Sequence, residues 1–277
     1  MKHLLKTALC VILNILALGT AVLADVTKHS DIPYGADPLH RMDIYVPKQA
    51  RGAPVIAMVH GGGWHIGDKS NAGVVDNKRD YWTKRGYIFV SINYRKMPQS
   101  DPYTQATDVA RSFAYIQKNI TKYGGSAGKL IAMGHSAGAH LVALVHTDIG
   151  MRNRFGVKKW SGSVLLDSAA FNLPNLMRND PPKIYLKAFG NSPAFWKKAS
   201  PAHALKSAPS PMLIVCSTMR KIACSDGNSF AKLAQKRGGA AQVLPLNKSH
   251  SAINKTLGKS PRYTQQVHNW IKQTLKN

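Results

Sequence analysis

Lys129-Leu-Ile-Ala-Met-Gly134-His-Ser136-Ala-Gly138-Ala-His-Leu-Val-Ala-Leu-Val145 is the stretch whose reading decides the fold of this chain. Its first third, Lys129–Met133, is a short apolar run and reads as a buried strand. Its last third, Ala137–Val145, is apolar and long enough for a buried helix. Between them stands Gly134-His-Ser-Ala-Gly138, which fits the G-x-S-x-G pattern of a strand that turns sharply into a helix. Such a turn holds Ser136 in a strained, exposed position, and glycines at 134 and 138 permit the close backbone approach. The helix N-terminus aims free N–H groups at the same place.

A second stretch supports the first. Pro54–Val59 is another apolar strand, and His60-Gly-Gly-Gly-Trp64 follows it. A glycine run at the end of a strand upstream of the serine turn suits an oxyanion hole. Acyl transfer passes through a tetrahedral intermediate whose negative oxygen needs fixed backbone N–H donors. Gly62, Gly63 and Ala137 are the expected donors. The plainer alternative is that the glycines form only a flexible loop.

The chain has 277 residues and 44% hydrophobic content, enough for one α/β domain with a real core. No repeat or low-complexity run interrupts it. Residues 1–24 read as a secretory signal: Lys2 and Lys6 at the start, an apolar run from Ala8 to Leu23, and a small-residue cleavage pattern ending at Ala24. The alternative is an uncleaved anchor. The domain itself is expected over 25–277, in a secreted or periplasmic protein without a transmembrane segment after signal cleavage. Cys10 leaves with the signal, so Cys216 and Cys224 remain, and in an oxidising compartment they are expected to pair. Two independent buried thiols are the alternative. Formal net charge is +25 at pH 7. A field of that sign attracts anionic surfaces nonspecifically. The lysines and arginines are scattered, and no motif for specific nucleic-acid binding organises them.

Strands are expected at Arg41–Val46, Tyr87–Ile92, Ser163–Asp167, Met212–Cys216 and Gln242–Leu246, and helices at Asn77–Arg85, Thr104–Asn119, Ser229–Arg237 and Tyr263–Leu275. This alternation argues a mainly parallel sheet with helices on both faces. Residues 168–211 break the rhythm, being long and proline-rich. They are read as a lid or pocket insertion, with Met177, Tyr185, Phe189, Phe195 and Trp196 either lining the pocket or packing beneath the loop.

A serine hydroxyl needs a base to take its proton. His250 follows the last strand and precedes the closing helix, so it is the expected base; His268 lies inside that helix, His140 and His146 on the helix after the turn, and His60 at the glycine loop. The acid that would orient His250 is open. Asp226 is within reach if a Cys216–Cys224 bridge folds its loop back, and its alternative role is the N-cap of a helix starting at Ser229. Asp167 ends a strand and is the second candidate, with a structural hydrogen-bonding role as its alternative. A serine–histidine dyad without an acid is the third reading. Neither a metal nor an organic cofactor is signalled.

Together these residues resemble the α/β-hydrolase superfamily, and within it the secreted carboxylesterases and the kynurenine-formamidase-like and feruloyl-esterase-like members with an HGGGW loop. The likeness rests on Met42-Asp-Ile-Tyr-Val-Pro47, His60–Lys69, Ser91-Ile-Asn-Tyr-Arg95, Asp108-Val-Ala110, Tyr123-Gly-Gly125, Gly134–Leu141 and Ala199-Ser-Pro201. It implies a serine nucleophile at Ser136, a base at His250, oxyanion donors at Gly62, Gly63 and Ala137, and a small-molecule ester as substrate. An amidase such as an arylformamidase, or a noncatalytic binding protein on the same scaffold, are the alternatives. The chain departs from its relatives at Arg220–Ile222, where they usually carry an aspartate. The slightly favoured acid is therefore Asp226, the next carboxylate along that loop, ahead of Asp167.

Overall fold

The computed structural model describes residues 26–220 and 222–276. The expected signal segment, with Cys10, lies outside them. Eight strands form one sheet: β1 (Val26–Pro33), β2 (Arg41–Pro47), β3 (Ala53–Val59), β4 (Ile88–Ile92), β5 (Gly125–His135), β6 (Gly162–Leu166), β7 (Met212–Ser217) and β8 (Ala241–Leu246). Their order is β1-β2-β4-β3-β5-β6-β7-β8. The pairs β1–β2 and β2–β4 are antiparallel, and every later pair is parallel. Strand β1 was not foreseen. Its polar residues face solvent at the sheet edge, so it lacks the apolar pattern that marks the others.

The helices are α1 (Ala72–Thr83), α2 (Pro102–Asn119), α3 (Ala137–Thr147), α4 (Ile149–Phe155), α5 (Leu173–Arg178), α6 (Lys183–Phe189), α7 (Pro193–Lys198), α8 (Pro201–Ala204), α9 (Ala223–Lys236), α10 (His250–Lys255) and α11 (Pro261–Thr274). The helices expected from Thr104 and Tyr263 each start two residues earlier, and two others depart further from the expected boundaries. Helix α1 starts five residues before Asn77, because the Asn71 side chain accepts from Gly73 N and caps it there. Helix α9 starts six residues before Ser229, so Asp226 lies in its first turn and does not cap it.

The strands alternate across the sheet as the period of two demands. Val55, Ala57, Val59, Leu130, Ala132 and Leu165 pack on one face with α2, α3 and α9. Ile56, Met58, Ile131, Met133, Val164 and Leu166 pack on the other with α1, α10 and α11. Helix α3 is buried at every residue, which explains why its sequence is apolar all round. The stretch 168–211 is four short helices, and Phe171, Leu173, Met177 and Phe189 from it belong to the first core cluster. The carboxyl ends of β3, β5, β6, β7 and β8 open on one edge of the sheet, where α/β folds place their sites.

Candidate active site

Strand β5 ends at His135 and α3 begins at Ala137, so a single residue makes the turn. Ser136 has φ 55° and ψ −119°, a left-handed conformation that costs a non-glycine residue about 1–3 kcal/mol. The surroundings hold it there. Ser136 N donates to Leu166 O at 2.9 Å, and His140 N donates to Ser136 O at 3.2 Å. The flanking glycines answer to sterics: a Cβ on Gly134 would strike the Gly138 backbone, and a Cβ on Gly138 would strike the carbonyls of Val59 and His60.

The glycine loop after β3 closes over this turn. Gly62 and Gly63 have φ of 123° and 57°, and Trp64 follows at 67°. The loop is fastened at both ends. His60 stacks on Tyr94 at 4.4 Å, its Nδ1–H donates to Gly61 O at 2.7 Å, and Tyr94 Oη donates to His60 O at 3.0 Å. Burial pushes the His60 imidazole down to about 4, so it is neutral near pH 7. Trp64 Nε1 donates to His140 Nδ1 at 3.3 Å, and His140 Nε2 donates to Ala199 O at 2.8 Å. Burial likewise holds His140 down, at about 4. Among the described residues no protein acceptor takes the N–H of Gly62, Gly63 or Ala137.

The acid question has a geometric answer. Asp167, just past the end of β6, accepts from His250 Nδ1 at 2.6 Å through Oδ2. Its Oδ1 accepts from Ser217 N at 2.8 Å. Asp167 also takes a positive φ of 51°, which turns its side chain into the site. Burial by itself would raise this carboxyl. The hydrogen bonds from His250 and Ser217, with the Arg220 charge, outweigh burial and hold it near 2. Asp226, the favoured acid in the sequence, is elsewhere. Its Oδ2 accepts from Phe171 N at 2.8 Å in the wall of a neighbouring cavity. Burial pushes it up to about 6, and the Phe171 and Asn172 amides offset that only in part. The Cys216–Cys224 disulfide is formed, and it ties the end of β7 to the first turn of α9. That tie does not carry Asp226 to His250, because α9 starts at Ala223 and turns the carboxylate toward Phe171.

Three further groups contact His250 or its helix, a place that the sequence alone assigned to none of them. His135, the second residue of the G-x-S-x-G pattern, donates from Nε2 to His250 O at 3.1 Å and packs ring to ring at 4.5 Å. Burial, with the neighbouring His250, lowers it to about 3. Lys78 on α1 donates to Asn254 O at 2.7 Å, at the far end of the helix that His250 opens. Burial lowers that ammonium to about 7. Arg220 Nη1 donates to Asp167 Oδ2 at 2.8 Å and lies 3.1 Å from His250 Nδ1. Lys78 had one legible signal, a lysine on the apolar face of a helix.

Two cavities meet at Ser136 and His250. One, of about 510 Å³, runs along the glycine loop past His60, Ile66 and Asn254. The other, of about 350 Å³, is walled by Trp64, Ala137, Ile184, Tyr185 and Arg220. Of the five aromatic and Met candidates in 168–211, Tyr185 lines it; Phe189 packs edge-on against Trp64 at 4.8 Å behind the wall. A larger cavity of about 640 Å³ lies between α2 and α4, away from the serine turn, with lysines 118, 158 and 159 at its rim. Among the described residues no cluster of His, Cys, Asp or Glu is set to hold a metal ion, and no helix is long and apolar enough to cross a membrane.

The profile of the family described as BD-FAE matches residues 42–226, from β2 through the first turn of α9. The chain belongs to the BD-FAE family. It is similar to the isoprenylcysteine alpha-carbonyl methylesterase of Arabidopsis thaliana, 28% identical over 80% of this chain and 56% of that one. It is similar also to the kynurenine formamidase of Danio rerio, 26% identical over 86% of this chain and 77% of that one. Esterase LipQ of Mycobacterium tuberculosis is 40% identical over a shorter match, 42% of this chain and 28% of that one. The chain spans only 35% of the length of the related rice methylesterase. Among solved structures, a truncated carbohydrate esterase from gut microbiota superposes with a TM-score of 0.79 at 17% identity, covering 93% of this chain and 99% of that one. An esterase from Pyrobaculum calidifontis superposes with a TM-score of 0.74 at 21% identity, covering 92% and 86%. The eight-stranded, mostly parallel sheet of this BD-FAE member is thus the α/β-hydrolase fold.

Proposed function

We propose that the protein is an exported serine carboxylesterase, with Ser136 as nucleophile, His250 as base and Asp167 as acid. The observation that carries this reading is the 2.6 Å bond from Asp167 to His250 Nδ1, in a cavity that His250 shares with the strained Ser136. That bond fixes the tautomer that leaves Nε2 free to accept the serine proton. The similar methylesterase and esterase sequences support the ester as the bond cleaved.

The reaction then follows from the parts. Ser136 Oγ attacks the ester carbon while His250 Nε2 takes its proton. The carbonyl oxygen becomes negative and accepts from the N–H groups of Gly62, Gly63 and Ala137. Collapse breaks the bond to the alcohol oxygen, and His250 returns the proton to it. Water, deprotonated by His250, repeats the attack and frees the acid and Ser136. Asp167 stays ionised throughout and steadies the imidazolium.

A fluorophosphonate probe and short p-nitrophenyl esters test the assignment. Ser136→Ala is expected to lose labelling and to reduce kcat by about 10⁴-fold or more. Equal hydrolysis by that variant overturns the nucleophile, and equal kcat/KM on a matched amide overturns the ester preference. Export is supported by the signal-like residues 1–24 and by the Cys216–Cys224 pair, which suits an oxidising compartment. Fusing 1–24 to a reporter active only after export checks it. Removing those residues leaves a formal charge of +23, since Lys2 and Lys6 go and no acid does. That charge supports loose, salt-sensitive association with anionic surfaces.

A further inference from the structure

The loop after β7 places a cation, Arg220, in the wall of the cavity that holds Ser136 and His250. All three close contacts of the Arg220 guanidinium with Asp167 and His250 go through Nη1. A guanidinium has five N–H donors, so Nε and the second terminal nitrogen are left for other partners. Tyr185 stands in the same cavity wall, with its hydroxyl near enough to act on the Arg220 charge. The side chain is 28% exposed, and it lines the 350 Å³ cavity that also holds Ser136.

Orienting His250 does not require this arginine. Asp167 already accepts from Ser217 N and His250 Nδ1, which is enough to fix its plane and the tautomer. Half-burying a guanidinium is costly unless its donors are used. Much of the rest of the cavity wall is apolar, with Trp64, Pro182, Ile184 and Ile222, and outside the catalytic groups only Ser168 and Tyr185 add polar side chains to it. A substrate group that used the spare donors would have to be an acceptor, and a carboxylate matches a guanidinium fork best. The resting charges of Asp167 and Arg220 cancel, so an incoming anion meets no net negative site. The positive field of the whole chain raises its local concentration.

We infer that Arg220 anchors a free carboxylate on the acyl group, so that the favoured substrates are monoesters of short dicarboxylic acids. The inference rests on the serine-esterase reading. Reach sets the length. Arg220 Nη1 lies 3.1 Å from His250 Nδ1. Proton transfer in the proposed mechanism brings Ser136 Oγ to a hydrogen-bond length from Nε2, so in the reacting complex the guanidinium lies within about 8 Å of the serine oxygen, one ring and two hydrogen-bond lengths. Allowing about 3 Å for the contact with the carboxylate leaves space for about two or three methylenes between the two carbonyl carbons.

The test compares p-nitrophenyl hemiglutarate with p-nitrophenyl valerate, which has an acyl chain of equal length and no carboxylate, on the wild-type protein, Arg220→Gln and Arg220→Lys. Wild type is expected to favour the hemiglutarate in kcat/KM by about tenfold or more, a typical margin for one charge-assisted hydrogen-bonded pair. Arg220→Gln is expected to lose that ratio, and Arg220→Lys to keep part of it. Using the ratio removes any loss common to both esters from disturbing Asp167 and His250. Glutarate itself is titrated by calorimetry at low and high salt. It should bind wild type in a salt-sensitive way and Arg220→Gln at least tenfold more weakly. Equal ratios in wild type and Arg220→Gln, with glutarate binding unchanged, overturn the inference and leave Arg220 as a partner of Asp167 alone. Salt-sensitive glutarate binding that Arg220→Gln weakens, with neither ester hydrolysed by wild type, overturns the esterase reading and leaves the anion site standing. If Arg220→Gln does not fold, the ratio in Arg220→Lys and the effect of salt on wild type decide the matter.

Discussion

The serine turn is held by backbone contacts and the glycine loop by neutral rings, whereas His250, Asp167 and Arg220 are held by side-chain charge. In the first region the glycines have steric causes close by. Gly134 and Gly138 touch each other's backbone, and Gly138 touches the end of β3. In the second region the contacts span the chain: 83 residues from Asp167 to His250, 53 to Arg220 and 50 to Ser217. The two constructions fail differently. Removing a charge should spare the fold and remove the chemistry, while adding a methyl group to the turn should damage the fold first.

The largest effect is expected on the charged side. Asp167→Asn keeps size and most of the geometry but allows the wrong imidazole tautomer, and should lower kcat/KM on a short ester by about 10³–10⁴-fold. Asp226→Asn should change it less than about tenfold, since its carboxylate meets the Phe171 amide and not His250. Steady-state kinetics on both variants checks the pair. A heavy loss in Asp226→Asn alone would reverse the assignment of the acid.

The backbone side comes next. Gly138→Ala places a Cβ against two carbonyls that no rotamer change can move. A loss of about 2–4 kcal/mol is expected, at the upper end for a single added methyl because backbone must shift. Urea unfolding measures it. An unchanged midpoint would mean that the turn has slack that the contacts do not suggest.

This contrast also explains what could be read in the sequence. The serine turn, the glycine loop and the strand alternation are written in neighbouring residues, where apolar period and glycine sterics act. His250 could be placed by its order after the last strand. The choice between Asp167 and Asp226 could not, because it depends on where α9 begins. A start at Ser229 would have left Asp226 in a loop free to swing; the observed start at Ala223 commits it to the helix. Arg220 was visible only as a missing aspartate. Its role needs the end of β6 and the loop after β7 side by side, which the parallel pairing of those strands provides. The burial of Tyr185 and Phe189 beside Trp64 depends likewise on contacts over more than a hundred positions.

The smallest expected effect separates the two aspartates by pH. Both lose water on folding, and burial opposes ionisation of both. Asp167 recovers through His250, the Ser217 amide and Arg220, and ends near 2. Asp226 has only amide donors and ends near 6, above its ordinary 3.8. A carboxyl raised on folding binds its proton more tightly in the native state. Its contribution to stability is full below about pH 4 and is lost as pH rises through 6. The shift alone corresponds to roughly 3 kcal/mol, and partial contact with the cavity reduces this to about 1–2 kcal/mol. Asp226→Asn keeps an acceptor for Phe171 N and cannot ionise. Its melting temperature should therefore gain on wild type between pH 4 and 6.5 and stay ahead above that. Asp167 contributes in the opposite sense, its stability being lost as pH falls through about 2, so it lies below this window and cancels in the difference. Parallel melting curves for the two proteins from pH 4 to 7 would show that water in the cavity solvates Asp226 well enough to erase the difference between the two carboxylates.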